Sequence, residues 1–434
     1  WTVFQDSRGR QWLGTNGSGV TVWDNGIART LTVANDPLSN IVRSVAEDRE
    51  GRMWVGTLSG LYRSGASGEG GFRRVASVRS SSVTALMLHP DGGMLAGTSD
   101  SGAYLLRGGT VHRFTRSNGL PDDAVRSAAV QPDGSIWLGT DGGIAVVRAP
   151  VQSAPSAEPW ERNADLASGE VRDIMVGADS TVWIGTATHG LFRFRNGRLT
   201  RYSAEQGYDA AAVHDVQEDG LGFLWLSCNK GVFRVSAAEL ADVAEGRAVA
   251  ASFRLFGTAD GMGSSEANGG GQPAGYRMKN GTIWFPTMKG AAIIAPSSLP
   301  TNTIVPPVYL HSFTADGRTL TTEEGGVTVP AGTNRLTVSF SALSLLVPER
   351  VRFQYMLEGY DDGWTDGGSE RSASYTNVPP GTYTFRVIGC NNDGLWNTEG
   401  ASMTVTVRPF VYQTWAFILA VTVLAAGGAA GIYR

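Results

Sequence analysis

One short phrase, repeated seven times, constrains this chain more than anything else in it. Each copy has a turn with Asp or Gly, then an apolar strand that usually holds Trp. Gly-Thr or a near equivalent follows, then a small loop ending in Gly and a second apolar strand. The copies lie at Asp6–Val20, Asp48–Arg63, Pro90–Leu106, Pro132–Val147, Ala178–Phe194, Glu218–Val235 and Lys279–Ile294. Their anchors are Trp12, Trp54, Leu95, Trp137, Trp183, Trp225 and Trp284, spaced by 41 to 46 residues and by 59 before the last. That period suits one four-stranded blade of a β-propeller. Leucine-rich repeats are shorter, and helical repeats would show a 3.6-residue pattern that is absent here.

The residue types explain the phrase. Asp bonds its own backbone and Gly takes positive φ, so the turn is tight. A large flat side chain fills the space between adjacent blades. Gly-Thr is small where blades crowd towards the axis. Another apolar strand precedes the phrase, as at Val42–Ala46, Val83–Leu88, Val125–Val130, Val171–Val176 and Ala212–Val216. Seven phrases predict seven blades, and closing the last on the first shields their edges. The 57 glycines and 12 tryptophans fit this plan.

After Pro296, Pro300, Pro306 and Pro307 the pattern changes. Strands now alternate: Tyr383, Phe385 and Val387 face one way, Thr384 and Arg386 the other. Turns recur at Asp316-Gly317, Glu324–Gly326, Asp361–Gly363, Pro379–Gly381 and Asn391–Gly394. This predicts a β-sandwich of about 100 residues. From Phe410 to Tyr433 no residue is charged, which is long enough for one membrane-crossing helix. Tyr412, Trp415 and Tyr433 stand where interfacial aromatics belong, and Arg408 and Arg434 flank the run evenly. The fold class is therefore all-β: a seven-bladed β-propeller over 1–297, a β-sandwich over 298–409 and a transmembrane helix over 410–433. Cys228 and Cys390 fall in different domains and read as unpaired core residues.

The repeated phrase resembles the two-component regulator propeller of bacterial sensors. Val351–Trp364 with Ser372–Asn397 resembles the Y_Y_Y domain that follows such propellers, its tyrosines being among Tyr355, Tyr375 and Tyr383. The resemblance implies that the sandwich is immunoglobulin-like and that the chain is the periplasmic sensing region of an inner-membrane receptor, working as a homodimer. Its cytoplasmic output would be a histidine kinase, or alternatively a diguanylate cyclase. A competing reading makes the propeller a carbohydrate-active enzyme.

No motif of catalysis emerges. There is no nucleophile elbow, Walker sequence, HExxH or CxxC. His89, His112, His189, His214 and His311 are scattered and read as surface or strand histidines. Asn268 with Gly269–Gly271 reads as a loop, and the acidic pairs Asp122-Asp123 and Asp361-Asp362 sit in predicted turns. No catalytic residue, metal or cofactor is expected. The net charge of −4, without a basic stripe, argues against nucleic acid. A binding site is expected on the loops after each Gly-Thr, which all emerge at one end. They carry Asn16, Ser59, Asp100, Asp141, His189, Asn229, Lys230 and Lys289. The insertion Gly257–Tyr276, with Glu266, Asn268 and Gln272, is a second candidate, as a lid or pocket wall. The expected ligand is a small molecule or oligosaccharide.

Overall fold

In three of the repeats an Asp that opens the predicted hairpin fixes both the turn and the tryptophan. Asp48 Oδ1 accepts the N–H groups of Glu50 and Arg52 at 3.1 and 2.9 Å, which closes the turn. Its Oδ2 accepts Trp54 Nε1–H and Arg52 Nε–H, both at 2.7 Å. Burial opposes the Asp48 charge, but the bonds from Trp54 and Arg52 outweigh it and hold the carboxyl below its usual range. Asp6 clasps Trp12 at 2.9 Å and Asp219 clasps Trp225 at 3.0 Å in the same way. The other repeats hold His89, Gln131, Gly177 and Met278 at this position. In the repeat with Gly177, the buried Trp183 Nε1 has no partner among the described residues.

The computed structural model describes all residues except 69, 149–155, 161–165, 167, 168, 300, 301, 324, 346, 433 and 434. Pro300 of the predicted linker, Glu324 of one predicted turn, and Tyr433 and Arg434 at the end of the apolar run lie outside the described residues. The chain divides into two compact units, Trp1–Leu299 and Pro300–Arg434. Among the described residues of the first unit, seven antiparallel sheets follow one another in sequence order. Six have four strands and the last has three. The fourth sheet, for example, runs Val125–Val130, Ile136–Thr140, Gly143–Val147 and Glu158–Pro159.

Neighbouring sheets interlock at Gly-Thr. A Cβ on Gly14, Gly56, Gly97, Gly139 or Gly185 would lie 2.7 to 2.9 Å from a valine Cγ1 in, or for Gly185 just before, the next sheet's first strand. Those valines are Val42, Val83, Val125, Val171 and Val213. Only glycine leaves room for them. The threonine hydroxyl then donates to the glycine carbonyl across the loop, as Thr57 to Gly60 at 2.9 Å and Thr140 to Gly143 at 2.8 Å. Trp12 is wholly buried and packs on Val42, Val45, Met53 and Val55 of the second sheet, so the aromatic fills the gap between sheets as expected. The last sheet meets the first. Phe4 and Tyr276 pack edge to face at 5.1 Å, and the Lys279 N–H donates to Gln5 Oε1 at 2.7 Å.

The second unit is a sandwich of a four-stranded and a six-stranded sheet. Its core includes Phe313, Phe340, Phe353 and Phe385. Tyr355, Tyr360, Tyr375 and Tyr383 form one aromatic chain, with Tyr375 in edge contact with both Tyr355 and Tyr360. The Tyr375 hydroxyl donates to Asp361 Oδ2 at 2.9 Å, and burial pushes its pKa well up. Cys228 and Cys390 are both free and buried.

The membrane-crossing helix predicted over 410–433 is shorter than expected. Val411–Gln413 turn as a 3-10 helix, and the α-helix runs Trp415–Ile432, 18 residues. At 1.5 Å per residue that is roughly 27 Å, below the ~30 Å of a bilayer's hydrocarbon core. Among the described residues, no helix is long and apolar enough to cross a membrane.

The clasp predicts a stability cost. Asp48→Ala leaves the Trp54 N–H, the Arg52 guanidinium and two turn amides short of an acceptor. It should destabilise the first unit by about 3 kcal/mol. Urea denaturation followed by tryptophan fluorescence measures this, and a loss under about 0.5 kcal/mol would contradict the clasp's role.

Candidate functional site

The first strands of the second to fifth sheets share an irregularity. Their pairing with the Trp-bearing strand skips one residue near its start: Arg43, Thr84, Arg126 and Arg172. Such bulges bend the strand and re-aim a side chain. Three of the four extra residues are arginines. Each follows a valine that occupies the space above a glycine, so the bulge sits beside the interlock. His214 follows Val213 in the sixth repeat and faces Asn229 Oδ1 through Nε2 at 2.7 Å. Burial lowers its pKa, and its Nδ1 has no partner among the described residues.

The arginines are unequally paired. Asp141 receives both Arg126 Nε–H and an Nη2–H, at 2.7 and 2.6 Å, and this bond raises the Arg126 pKa. Arg172 bonds Glu170 at 3.1 Å. Arg43 has no carboxylate or hydrogen-bond partner among the described residues, and its buried Nε is orphaned. Its guanidinium lies over the Trp1 ring, 4.0 Å from the centroid. Burial first, then the like charges of Arg126 and Arg172, lower its pKa.

The insertion expected as a lid or pocket wall enters the space between the first strands. The Gln272 N–H donates to the Thr84 carbonyl at 2.8 Å. Its side chain exchanges two bonds with the Ala128 backbone: Oε1 accepts at 2.7 Å and Nε2 donates at 2.9 Å. One glutamine thus pairs with two sheets, by backbone with the third and by side chain with the fourth. The Pro273 carbonyl accepts from Thr2 at 2.7 Å, and the Gly275 carbonyl accepts from Gln217 at 3.2 Å. The Asn268 N–H donates to Pro286 at 2.8 Å. At Gly269, Gly270 and Gly271 the nearest side chains and backbone belong to His214, Arg172 and Arg43. One short segment therefore touches all seven sheets, so their first strands surround it.

Two buried carboxylates nearby have no basic partner among the described residues. Asp173 is 4% exposed and Asp215 is 2% exposed. Asp173 Oδ2 accepts the Val216 N–H at 3.0 Å, and Gln272 Nε2 reaches its Oδ1 at 3.4 Å. Asp215 Oδ1 accepts from Gln217 at 2.8 Å. Burial pushes Asp173 up to about 7. Burial, and then the neighbouring Asp173, push Asp215 well above the carboxylate range.

The structure separates the residues picked from sequence. Asp141 borders the arginine mouth through Arg126, Asn229 through His214, and Asn268 through the central segment. Asn16 and Asn268 line one cavity of about 560 Å³, together with Trp1, Trp23 and Trp284. Glu266 is exposed beside Asn268, and its carbonyl accepts the Met288 N–H at 3.1 Å. Asp100 accepts the Ser81 hydroxyl at 2.8 Å and lines a different depression. His189 bonds Thr188 at 3.0 Å, and Lys230 Nζ donates to the Asp209 carbonyl at 2.9 Å. The Lys289 N–H donates to Thr287 at 3.3 Å, and its side chain is exposed. Loop reasoning missed Arg43, Arg126 and Arg172. Their signal was a Val-Arg pair recurring at 42–43, 125–126 and 171–172.

An all-β ring of repeats and an immunoglobulin-like sandwich define the class, and comparisons with known proteins agree. The family model described as two component regulator propeller matches residues 36–59, and the Y_Y_Y domain matches 346–408. The chain is similar to Histidine kinase P4 of Formosa agariphila, with 22% identity over 302 residues. That match covers 65% of this chain and 21% of the relative, so the chain spans about a fifth of the relative's length. In structure it resembles the extracellular domain of the hybrid two component system BT3049 of B. thetaiotaomicron. The TM-score is 0.76 at 22% identity, over 94% of this chain and 55% of that one. Virginiamycin B lyase of Staphylococcus aureus shares the repeat fold at a TM-score of 0.50 and 13% identity, over 67% of this chain and 92% of that one.

The two buried aspartates predict a pH dependence. A carboxyl whose pKa is raised on folding favours the folded state while protonated. Stability should therefore fall as pH rises from about 4 to about 7, by up to ~1.4 kcal/mol per pH unit for each such group. The lowered turn carboxylates, such as Asp48 and Asp133, act in a separate window and lose their contribution below about pH 4. Urea midpoints from pH 5 to 8 measure the slope, and Asp173→Asn should flatten it. A midpoint that climbs across this range in the unmodified chain contradicts the assignment.

Proposed function

We propose that this chain is the extracytoplasmic, ligand-sensing region of a membrane receptor of the two-component type. In this reading the seven sheets are the seven blades of a closed propeller. The ligand enters the mouth framed by the bulge arginines and the central segment. The apolar run 410–433 anchors the chain in the inner membrane, and a histidine kinase beyond it provides the output. The observation that carries the reading is the order of modules: a regulator propeller repeat followed by a Y_Y_Y domain. The same order of folds spans 94% of the chain against an extracellular sensor domain. A half-buried polar mouth inside a rigid ring also suits selective recognition better than turnover. Signalling further requires that the ligand prefer one conformation of the receptor, since equal affinity for both shifts nothing. The central segment contacts every sheet, so it is the natural element for a ligand to bias.

Two measurements on the whole receptor in its native membrane test this. A membrane-impermeant protease added to spheroplasts should cut both β units while a cytoplasmic marker survives. Oligosaccharide and small-molecule libraries should contain a compound that changes the rate of receptor autophosphorylation at least severalfold. β units protected until lysis would refute the location, and a protein without phosphorylation would refute the output.

A further inference from the structure

We propose that the mouth recognises its ligand through a carboxylate held between the guanidinium groups of Arg43 and Arg172, a proposal that rests on the sensing role above. A Cβ on Gly270 would stand 3.7 Å from Arg43 Nη1 and 3.3 Å from Arg172 Nη1. The two guanidiniums therefore flank one point, and the absent side chain of Gly270 leaves that point open. Gly270 has φ of +88°, which other residues rarely adopt. The backbone thus favours the one residue that leaves the gap.

The charges around that point are incomplete. Arg126 is satisfied by Asp141, and Arg172 shares Glu170. Arg43 has no acidic partner among the described residues, and both it and Arg172 keep a buried Nε without an acceptor. An orphaned cationic donor beside two other arginines costs free energy in the unliganded state. Stacking on Trp1 holds Arg43 in place but supplies no hydrogen-bond acceptor. A structure that keeps such a group is preorganised for an anion. A planar carboxylate matches two forked donors better than a neutral hydroxyl does, because each guanidinium can give it parallel N–H bonds. A neutral polyol can accept single N–H bonds but leaves the Arg43 charge unpaired.

Thermal melts of the whole chain in detergent distinguish these cases. Galacturonate and galactose share a ring and differ in the carboxylate, and sodium sulfate supplies an oxyanion without a ring. All are compared with sodium chloride at equal ionic strength. Galacturonate should raise the melting temperature, galactose should not, and sulfate should do so weakly. Arg43→Gln should weaken galacturonate binding by about tenfold or more, the loss expected for one charge-assisted contact. Arg43→Lys should restore part of it. Arg43 makes no described hydrogen bond, so the glutamine variant should still fold, and its unliganded melt checks this. Equal responses to galacturonate and galactose overturn the carboxylate reading while leaving the sensing role intact. Undiminished galacturonate binding in Arg43→Gln overturns it too, as does a failure of galacturonate and sulfate alike to shift the melt. Loss of sensing in the membrane assays above, with galacturonate still bound here, defeats the receptor role alone.

Discussion

Everything in the first unit depends on how closely one sheet can approach the next. The limit is set where a glycine faces a valine of the following repeat, five times in succession. With any larger residue the first strands would be held apart, and the sheets could not converge on a common axis. Large aromatics fill the wider space outside this contact, and three of them are tied by a carboxylate to their own hairpin. Small inside and large outside is the wedge that bends a row of sheets into a ring.

The same contact places the site. After four of the five interlocking valines the next residue bulges, so it is turned aside from the ladder. Repetition thus delivers a set of equivalent positions around one opening. The chain fills three of them with arginine and one with histidine, and supplies Asp141, Glu170 and Asn229 as partners from nearby. The central segment, held by Gln272 and the three glycines, closes the space below. Residues vary here on a fixed frame, which is why Arg43 can lack a partner without disturbing its sheet.

Much of the fold was legible because its determinants are local. The hairpin Asp, the strand Trp and the Gly-Thr lie within a dozen residues of one another, and each acts on its neighbours in sequence. The sandwich was legible from alternation at Tyr383–Val387 and from its turns. The site was harder to read. Loop position suggested Asp100, His189, Lys230 and Lys289, but Asp100 bonds Ser81, Lys230 bonds Asp209, His189 bonds its neighbour Thr188 and Lys289 is exposed. What gathers Arg43, Arg172 and Gly270 is a bulge in two strands and a segment about 100 residues further on. The aspartates 173 and 215 were hidden for a similar reason. Their unusual chemistry comes from burial beneath Gln272, and burial is decided by the closed ring. The short helix after Phe410 reflects local backbone: a 3-10 turn takes the residues that hydropathy alone assigned to the span.

The central segment also bears on how the protein comes into being. Thr2 bonds Pro273 across 271 residues, and Gln5 bonds Lys279 across 274. Contacts of such separation form late, after the shorter loops have closed. During synthesis the first six repeats emerge and pair internally before the segment that fills their centre exists. The arginines would then stand around an empty, wet channel, and the buried aspartates would still be ionised. The arrival of residues 268–276 buries the pair, which raises their pKa values, and brings Gly270 between Arg43 and Arg172. The cluster of Arg43, Arg172 and Gly270 thus exists only once the ring has been finished.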